Sequence, residues 1–337
     1  MYHCIFKFTL MKKIFLLIMV LIGVFSQKGF SQDPEFTQFY ANLLYLNPAF
    51  AGSEKCPRLA LNYRNQWPKL QSTYVTYSVA YDQHVDFLEG GIGLLLYNDV
   101  QGDGAINTVS VSGIYSYNIN VNRNFNIRGG FQATYIQKNL NWNYIFPDMI
   151  DPLYGPIFPT NEDIVPTDFK KNIFDFSAGL IGFTSKHYFG IAVHHLTQPV
   201  ESWRDNHEAV LPRKLTIHYG TTIPLRVSGF KRGELTLSPN FLFQQQRDFQ
   251  QFNYGLYLSR KSIIAGIWLR QNFKFHYDSF MMVIGYIQKK IKFAYSYDLT
   301  VSRLRNSTLG AHEISFGYIF NCPQKRSKFR AISCPSF

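Results

Sequence analysis

The segment Ile291–Asp298 reads IKFAYSYD, and its side chains sort by parity. In an extended chain successive residues point to opposite faces. Ile291, Phe293, Tyr295 and Tyr297 therefore share one face, and Lys292, Ala294, Ser296 and Asp298 share the other. A helix would need apolar residues three and four apart, which this segment lacks. Apolar-out, polar-in alternation over roughly ten residues is the pattern of a strand with hydrocarbon on one side and a polar lumen on the other.

The same pattern recurs along the chain. In Ile127–Ile136, Ile127, Phe131, Ala133 and Tyr135 oppose Arg128, Gln132 and Thr134. In Leu235–Gln244, Leu235, Leu237, Phe241 and Phe243 oppose Thr236, Ser238, Asn240 and Gln244. The last such segment sets Ile314, Phe316, Tyr318 and Phe320 against Glu313, Ser315 and Gly317. Marking every one gives about fourteen strands, near residues 58–66, 73–81, 91–98, 107–118, 126–136, 173–184, 187–195, 213–223, 234–245, 252–259, 262–271, 279–287, 290–298 and 311–320. The expected fold is all-β: a single antiparallel transmembrane β-barrel with an even strand count, as bacterial single-chain barrels have.

Connection lengths test the count. Outer-membrane barrels have short periplasmic turns and longer outer loops. If the first strand runs outward, odd-to-even connections should be the long ones. Gln137–Asn172, Leu196–Pro212 and Leu299–Gly310 all are, while the turns near Ser185-Lys186 and Arg260-Lys261 are even-to-odd. The short first outer loop and the longish Pro224–Gly233 turn blur the pattern. Gln137–Asn172 carries five prolines and cannot join the ladder, because proline lacks the donor. A loop this long is either a functional lid or partner surface, or a floppy excursion.

Composition agrees. There are 31 Phe and 22 Tyr, charged residues make up only 17%, and no apolar run beyond the first thirty residues is long enough for a membrane-spanning helix. Soluble β-sandwich arrays are the competing class. Met11–Ser31 has the layout of a secretory leader: Lys12 and Lys13, the apolar run Ile14–Phe25, and the small-x-small site Gly29-Phe30-Ser31. Met1 and Met11 both remain candidate starts. The expected domains are a signal peptide at 1–31, a periplasmic plug segment at 32–57, the barrel at 58–320 and a basic periplasmic tail at 321–337.

Four of the 34 basic residues (Lys7, Lys12, Lys13 and Lys28) fall in the leader, and none of the 22 acids does, so the mature chain carries about +8. Part of that excess is Lys325, Arg326, Lys328 and Arg330. An exported protein rarely meets nucleic acid, so none is expected as partner. The cluster reads as attraction to anionic lipid or an acidic partner, or as a solvated terminus. Beyond the leader lie Cys56, Cys322 and Cys334. Three thiols allow at most one intramolecular disulfide, and which pair forms is open. Export permits the bond.

Little else carries chemistry. His194 and His195 are adjacent, so a regular strand would aim them at opposite faces. His84 and Asp86 share a face but fall in an expected turn. Gly90-Gly91-Ile92-Gly93 has no helix behind it and reads as a turn entering a strand. No Gly-x-Ser-x-Gly elbow occurs. No cofactor, metal or catalytic residue is expected. A lipid-modifying enzyme remains a third functional class, and altered lipid A would reveal it.

Two structural expectations follow, one from strand parity and one from the apolar character of the segment before the first strand, for which a disordered tail is the alternative. Arg64 on the first strand, Asp298 on the thirteenth and Glu313 on the fourteenth all point inward, and barrel closure makes these strands neighbours. Arg64 should contact Asp298 or Glu313, because an unpaired buried charge costs several kcal/mol; separate solvation by water is the alternative. The apolar residues Phe36, Phe39, Tyr40, Leu43, Leu44 and Leu46 should fold back to plug or line the periplasmic mouth. The turn-forming Asn47-Pro48-Ala49-Phe50-Ala51-Gly52 follows them.

Three stretches resemble one family. Gln32–Gly52 (QDPEFTQFYANLLYLNPAFAG), Leu61–Trp67 (LNYRNQW) and Ala294–Phe320 (AYSYDLTVSRLRNSTLGAHEISFGYIF) look like motifs of the PorP/SprF proteins, in the expected order. That resemblance singles out Asn47, Pro48, Gly52, Tyr63, Arg64, Gln66, Trp67, Tyr297, Asp298, His312 and Glu313. It implies an outer-membrane component of the type IX secretion and gliding machinery of Bacteroidetes-type bacteria. Its partners would be periplasmic and lipoprotein components, a secreted adhesin that it docks, delivers or retains, and outer-membrane lipid. The alternative is a FadL-like channel for hydrophobic compounds.

Overall fold

Alternation of aromatic and polar residues closes this chain into a barrel of fourteen antiparallel strands. The computed structural model describes residues 33–322 except 55, 71–72, 123, 142–144, 162–168, 204–208, 226–234, 274–276 and 302–308. The expected leader, the basic tail and Cys334 lie outside the described residues. The strands are β1 (Arg58–Gln66), β2 (Tyr74–Val85), β3 (Gly90–Gln101), β4 (Ile106–Asn120), β5 (Asn126–Leu140), β6 (Lys170–Phe183), β7 (His187–His194), β8 (Lys214–Thr221, continued as Ile223–Leu225), β9 (Leu235–Gln246), β10 (Phe249–Arg260), β11 (Ile263–Gln271), β12 (Tyr277–Gln288), β13 (Ile291–Thr300) and β14 (Ala311–Ile319). Each pairs with its sequence neighbours, and β14 closes on β1 with Arg58 opposite Ile319 and Arg64 opposite Glu313.

The faces follow the parity rule. On β2, Thr76, Ser78, Ala80 and Asp82 are buried inward, while Tyr77 and Val79 are exposed outward. On β13, Ala294, Ser296 and Asp298 are buried and Ile291, Phe293 and Tyr295 exposed. No described helix is long and apolar enough to cross a membrane. The outward apolar residues along the strands form a band of the kind a transmembrane barrel turns toward lipid.

Several strands outrun their sequence signal. β4 and β5 span fifteen residues each, and β5 continues through Gln137, Lys138 and Asn139. β2 runs to Val85 rather than ending near 81 and so contains His84, which was expected in a turn. Hydrophobic alternation marks only the lipid-facing part of a strand; the ladder continues past it on backbone hydrogen bonds, helped by ion pairs such as Arg58–Asp82 and Lys138–Glu201. Gly90 and Gly91 likewise belong to β3 itself, not to a turn before it.

The two ends of the barrel differ. At the near end, where β1 begins and β14 finishes, β6 and β7 are joined through Thr184-Ser185-Lys186, β10 and β11 through Lys261-Ser262, and β12 and β13 through Lys289-Lys290. Lys261 and Lys289 adopt positive φ there, as tight hairpins require. At the far end lie the long connections after β5, β7 and β13. The first of these carries a short hairpin, Ile150–Asp151 paired with Gly155–Pro156.

Ile284, in the middle of β12, is 60% exposed and faces outward. Ile284→Arg should cost about 2–4 kcal/mol of stability in lipid vesicles, while Tyr277→Arg at the strand's far end should cost about 0–1. Urea unfolding in bilayers measures both, and equal costs would contradict the band.

Candidate functional site

A fourteen-strand wall leaves a lumen wider than its own inward side chains fill. The N-terminal segment occupies it. Phe36, Phe39, Tyr40, Leu43, Leu44, Leu46, Ala49, Phe50 and Ala51 are all buried. A single turn of helix, α1 (Leu43–Leu46), and a 3₁₀ turn over Pro48–Phe50 shape the segment. Asn47 holds that turn, its Oδ1 accepting from the Ala49 amide at 2.9 Å. Tyr40 packs edge-on against Tyr188 and Tyr257, and Phe39 against Trp268.

The segment reaches much deeper than the mouth where it was expected. Glu35 accepts a hydrogen bond from Gln251 at 2.9 Å and lies 3.8 Å from Arg270. Both partners stand within two residues of the far ends of β10 and β11. Gly52, by contrast, donates to Asp82 near the near end of β2, at 2.9 Å. The chain thus runs the length of the lumen from far end to near end. The sequence could not show this, because burial of apolar residues is compatible with any depth.

At the far end, charge organises the contact. Arg64 meets both carboxylates, Nη2 to Asp298 at 3.1 Å and Nη1 to Glu313 at 3.3 Å. Arg270 adds a second cation 3.6 Å from Asp298. All four side chains are buried. The segment completes the cluster. The Thr37 amide donates to Glu313 at 2.6 Å, and its hydroxyl donates to Asp298 at 2.6 Å while accepting from Arg64. Gln38 adds its amide to Glu313 at 3.2 Å and its side-chain nitrogen to the Glu313 carbonyl at 3.0 Å. Carboxylates saturated by donors in this way are held in one geometry.

Toward the near end of the lumen, absent side chains make room. Gly91 on β3, Gly130 on β5 and Gly179 on β6 all face inward. A Cβ on Gly130 would come within 2.5 Å of the Ala49 Cα, one on Gly91 within 2.7 Å of the Gly52 Cα, and one on Gly179 would meet the Asn47 side chain. Asn47 Nδ2 donates to the carbonyls of Ile191 at 3.1 Å and Leu180 at 3.3 Å, and His218 stacks on Phe50 with centroids 5.3 Å apart. The Ala51 carbonyl accepts from Ser116 and Arg128. Inward glycines inside strands were the available signal for this close approach.

At the near end, Arg58 and Asp82 pair at 2.9 Å, and Cys56 is disulfide-bonded to Cys322. Of the pairings left open, this bond joins the root of the segment to the end of β14. Beside the segment, a lumen gap lined by Phe36, Phe39 and Asn42 measures about 10 Å³, room for one water at most.

Of the other singled-out residues, Tyr63, Tyr297 and His312 lie on the outward parity of their strands, while Gln66 shares the inward face of β1 with Arg64. The Tyr63 and Tyr77 rings are 5.2 Å apart, and the Tyr297 and His312 rings 5.0 Å. Trp67 leaves β1 with φ +60° and packs edge-on against Tyr74, one residue beyond Gln66, which pairs with Ala311. His195 has turned out of β7 and bonds Asp175 at 2.8 Å rather than sharing an ion with His194. His84 lies 3.3 Å from Asp86. Among the described residues no group of three His, Cys, Asp or Glu side chains is placed to hold a metal.

Two outcomes follow. Arg64→Met should destabilise the barrel by about 3–5 kcal/mol, because two buried carboxylates lose a shared cation; Arg64→Met with Glu313→Gln should recover part of the loss in the same unfolding assay. Gly130→Leu should leave the barrel folded but expose the segment, seen as faster protease cleavage between Pro34 and Gly52.

A family model described as type IX secretion system membrane protein PorP/SprF matches residues 28–318. A search of curated proteins finds no match. Among solved structures, the Ralstonia pickettii toluene transporter TbuX is similar with TM-score 0.48 and 10% identity, over 82% of this chain and 93% of that one. A Pseudomonas aeruginosa FadL homologue gives 0.43 and 13%, over 87% and 100%. The Acinetobacter baumannii outer membrane protein Omp33 gives 0.42 and 7%, over 79% and 100%.

Proposed function

This chain belongs to the PorP/SprF family of type IX secretion system membrane proteins, and we propose that it serves that machinery by docking rather than by conduction or catalysis. Family membership makes it an outer-membrane component of type IX secretion. In our reading it helps deliver a secreted surface protein, an adhesin, and retain it at the cell surface. The near end faces the periplasm, where the basic tail meets the machinery's periplasmic and lipoprotein components. The far end faces outward and receives the cargo.

One observation carries this reading: the lumen is occupied along its length by the chain's own N-terminal segment. A transport channel for hydrophobic compounds needs a path, and here Glu35–Gly52 takes up that path with charge pairs and hydrogen bonds at several levels. The far end offers an alternative site of action. Its hairpin displays Leu153 and Tyr154, 87% and 77% exposed, with Ile150, Ile157 and Phe158 beside them. Exposed apolar side chains in a group of this kind mark protein-contact surfaces.

Leu153→Asp with Tyr154→Asp should leave the barrel intact and reduce surface display of the cognate adhesin several-fold, read by antibody labelling of whole cells. Deleting the whole chain should abolish that display. Normal display in the deletion strain, or capture of generic envelope proteins alone, would count against docking. Uptake of long-chain fatty acids by liposomes carrying the purified protein would favour the channel instead.

A further inference from the structure

On the outer wall over β4 to β7 the lipid-facing surface is not flush. A groove of about 510 Å³ opens there, walled by Tyr115, Phe131, Leu180, Ile191 and Val193 and almost wholly apolar. Phe131 and Leu180 are 50% and 59% exposed, so its rim lies on the same outward face as the rest of the band. Its base is thin because Gly129 and Ala178 carry little or no side chain there. Behind them the inward glycines Gly130 and Gly179 rest directly on Ala49, Pro48 and Asn47 of the lumen segment.

We propose that this groove is a lipid-tail subsite, holding one acyl chain of a phospholipid from the near-end leaflet. Three observations carry the assignment. The groove is continuous with the hydrocarbon-facing band, where water does not compete and an unfilled volume forfeits the contacts of every atom lining it. Its volume lies within the range of sites that enclose a small ligand. Its position supplies the direction of the chain. Tyr115 and Tyr117 stand at the near-end edge, their hydroxyls tied to the Leu88 carbonyl at 2.9 Å and to Glu89 at 3.1 Å in the β2–β3 turn. Tyrosines of this kind mark the membrane–water interface. The groove therefore starts at headgroup depth and runs into the hydrocarbon, as a lipid tail does. Because Asn47 bonds the carbonyls of the wall residues Leu180 and Ile191, the subsite and the lumen segment share one piece of backbone.

The glycine geometry supplies the test. A Cβ on Gly129 meets only Leu180 Cδ2, at 3.5 Å, so a side chain there fills the groove without forcing the backbone. Native mass spectrometry of protein extracted in mild detergent should show one retained phospholipid per chain. Gly129→Phe and Ala178→Phe should each reduce that retention at least five-fold, while Met282→Phe on β12, across the barrel, should not. Each variant is first confirmed as folded by its heat-modifiable gel mobility. In the unmutated protein, a phospholipid with a photo-crosslinkable tail should label the peptides holding Phe131 and Leu180. No retained lipid, retention unchanged in Gly129→Phe, or labelling spread evenly around the barrel would overturn the proposal. So would a dimer that Gly129→Phe dissociates, since the occupant would then be a second copy of the chain.

Discussion

Inside a closed barrel a charged side chain cannot turn away to water as it can on an open sheet, and Arg64, Asp298, Glu313 and Arg270 are committed to one another by strand parity. The wall brings them together but does not saturate them. Thr37 and Gln38 add two amides and one hydroxyl to the carboxylates, the Gln38 carboxamide anchors to the Glu313 main-chain carbonyl, and Glu35 adds a carboxylate toward Arg270. The same buried charges that would destabilise an empty lumen thus fix the register of the segment that fills it. A partly satisfied network would be worse than an apolar one, which couples the two parts closely.

Lower in the lumen the logic changes from charge to shape. Gly91, Gly130 and Gly179 are strand positions that sacrifice side-chain packing so that backbone can lie against backbone. Asn47 then uses its side chain twice, once to cap the 3₁₀ turn and once to reach wall carbonyls. At the near end, the Gly52–Asp82 hydrogen bond and the Cys56–Cys322 disulfide tie the segment's root to β2 and to the chain just past β14. Three different kinds of interaction hold one short chain at three depths. A segment secured in this way behaves as part of the wall, which suits a docking platform whose moving parts are its loops.

How far the sequence could be read depended on whether a feature had a period. The strands had one, and the barrel, its closure and the meeting of Arg64 with Asp298 and Glu313 all follow from parity. Strand ends did not: β2 continues through His84 and β5 through Lys138 because a ladder persists on backbone hydrogen bonds after hydrophobic alternation stops. The apolar character of Phe36–Leu46 announced burial but not depth. Glu35, Arg270, Asp82 and His218 looked like ordinary polar strand and loop residues, since their partners lie far away in the chain. The inward glycines could have been noticed, but only with the facing segment in view did they acquire a reason.

The sequence by itself determined that every second residue faces lipid, that the strand count is even and that the strands close on themselves, because these depend on local alternation and on the absence of any tolerable sheet edge in hydrocarbon. Tertiary structure alone decided that the segment Glu35–Gly52 runs the length of the lumen. It also chose which cysteines meet and left a groove in the outer wall in front of the glycines that lie against the segment. Those outcomes depend on volumes and distances between residues far apart in the chain, and no local pattern encodes them.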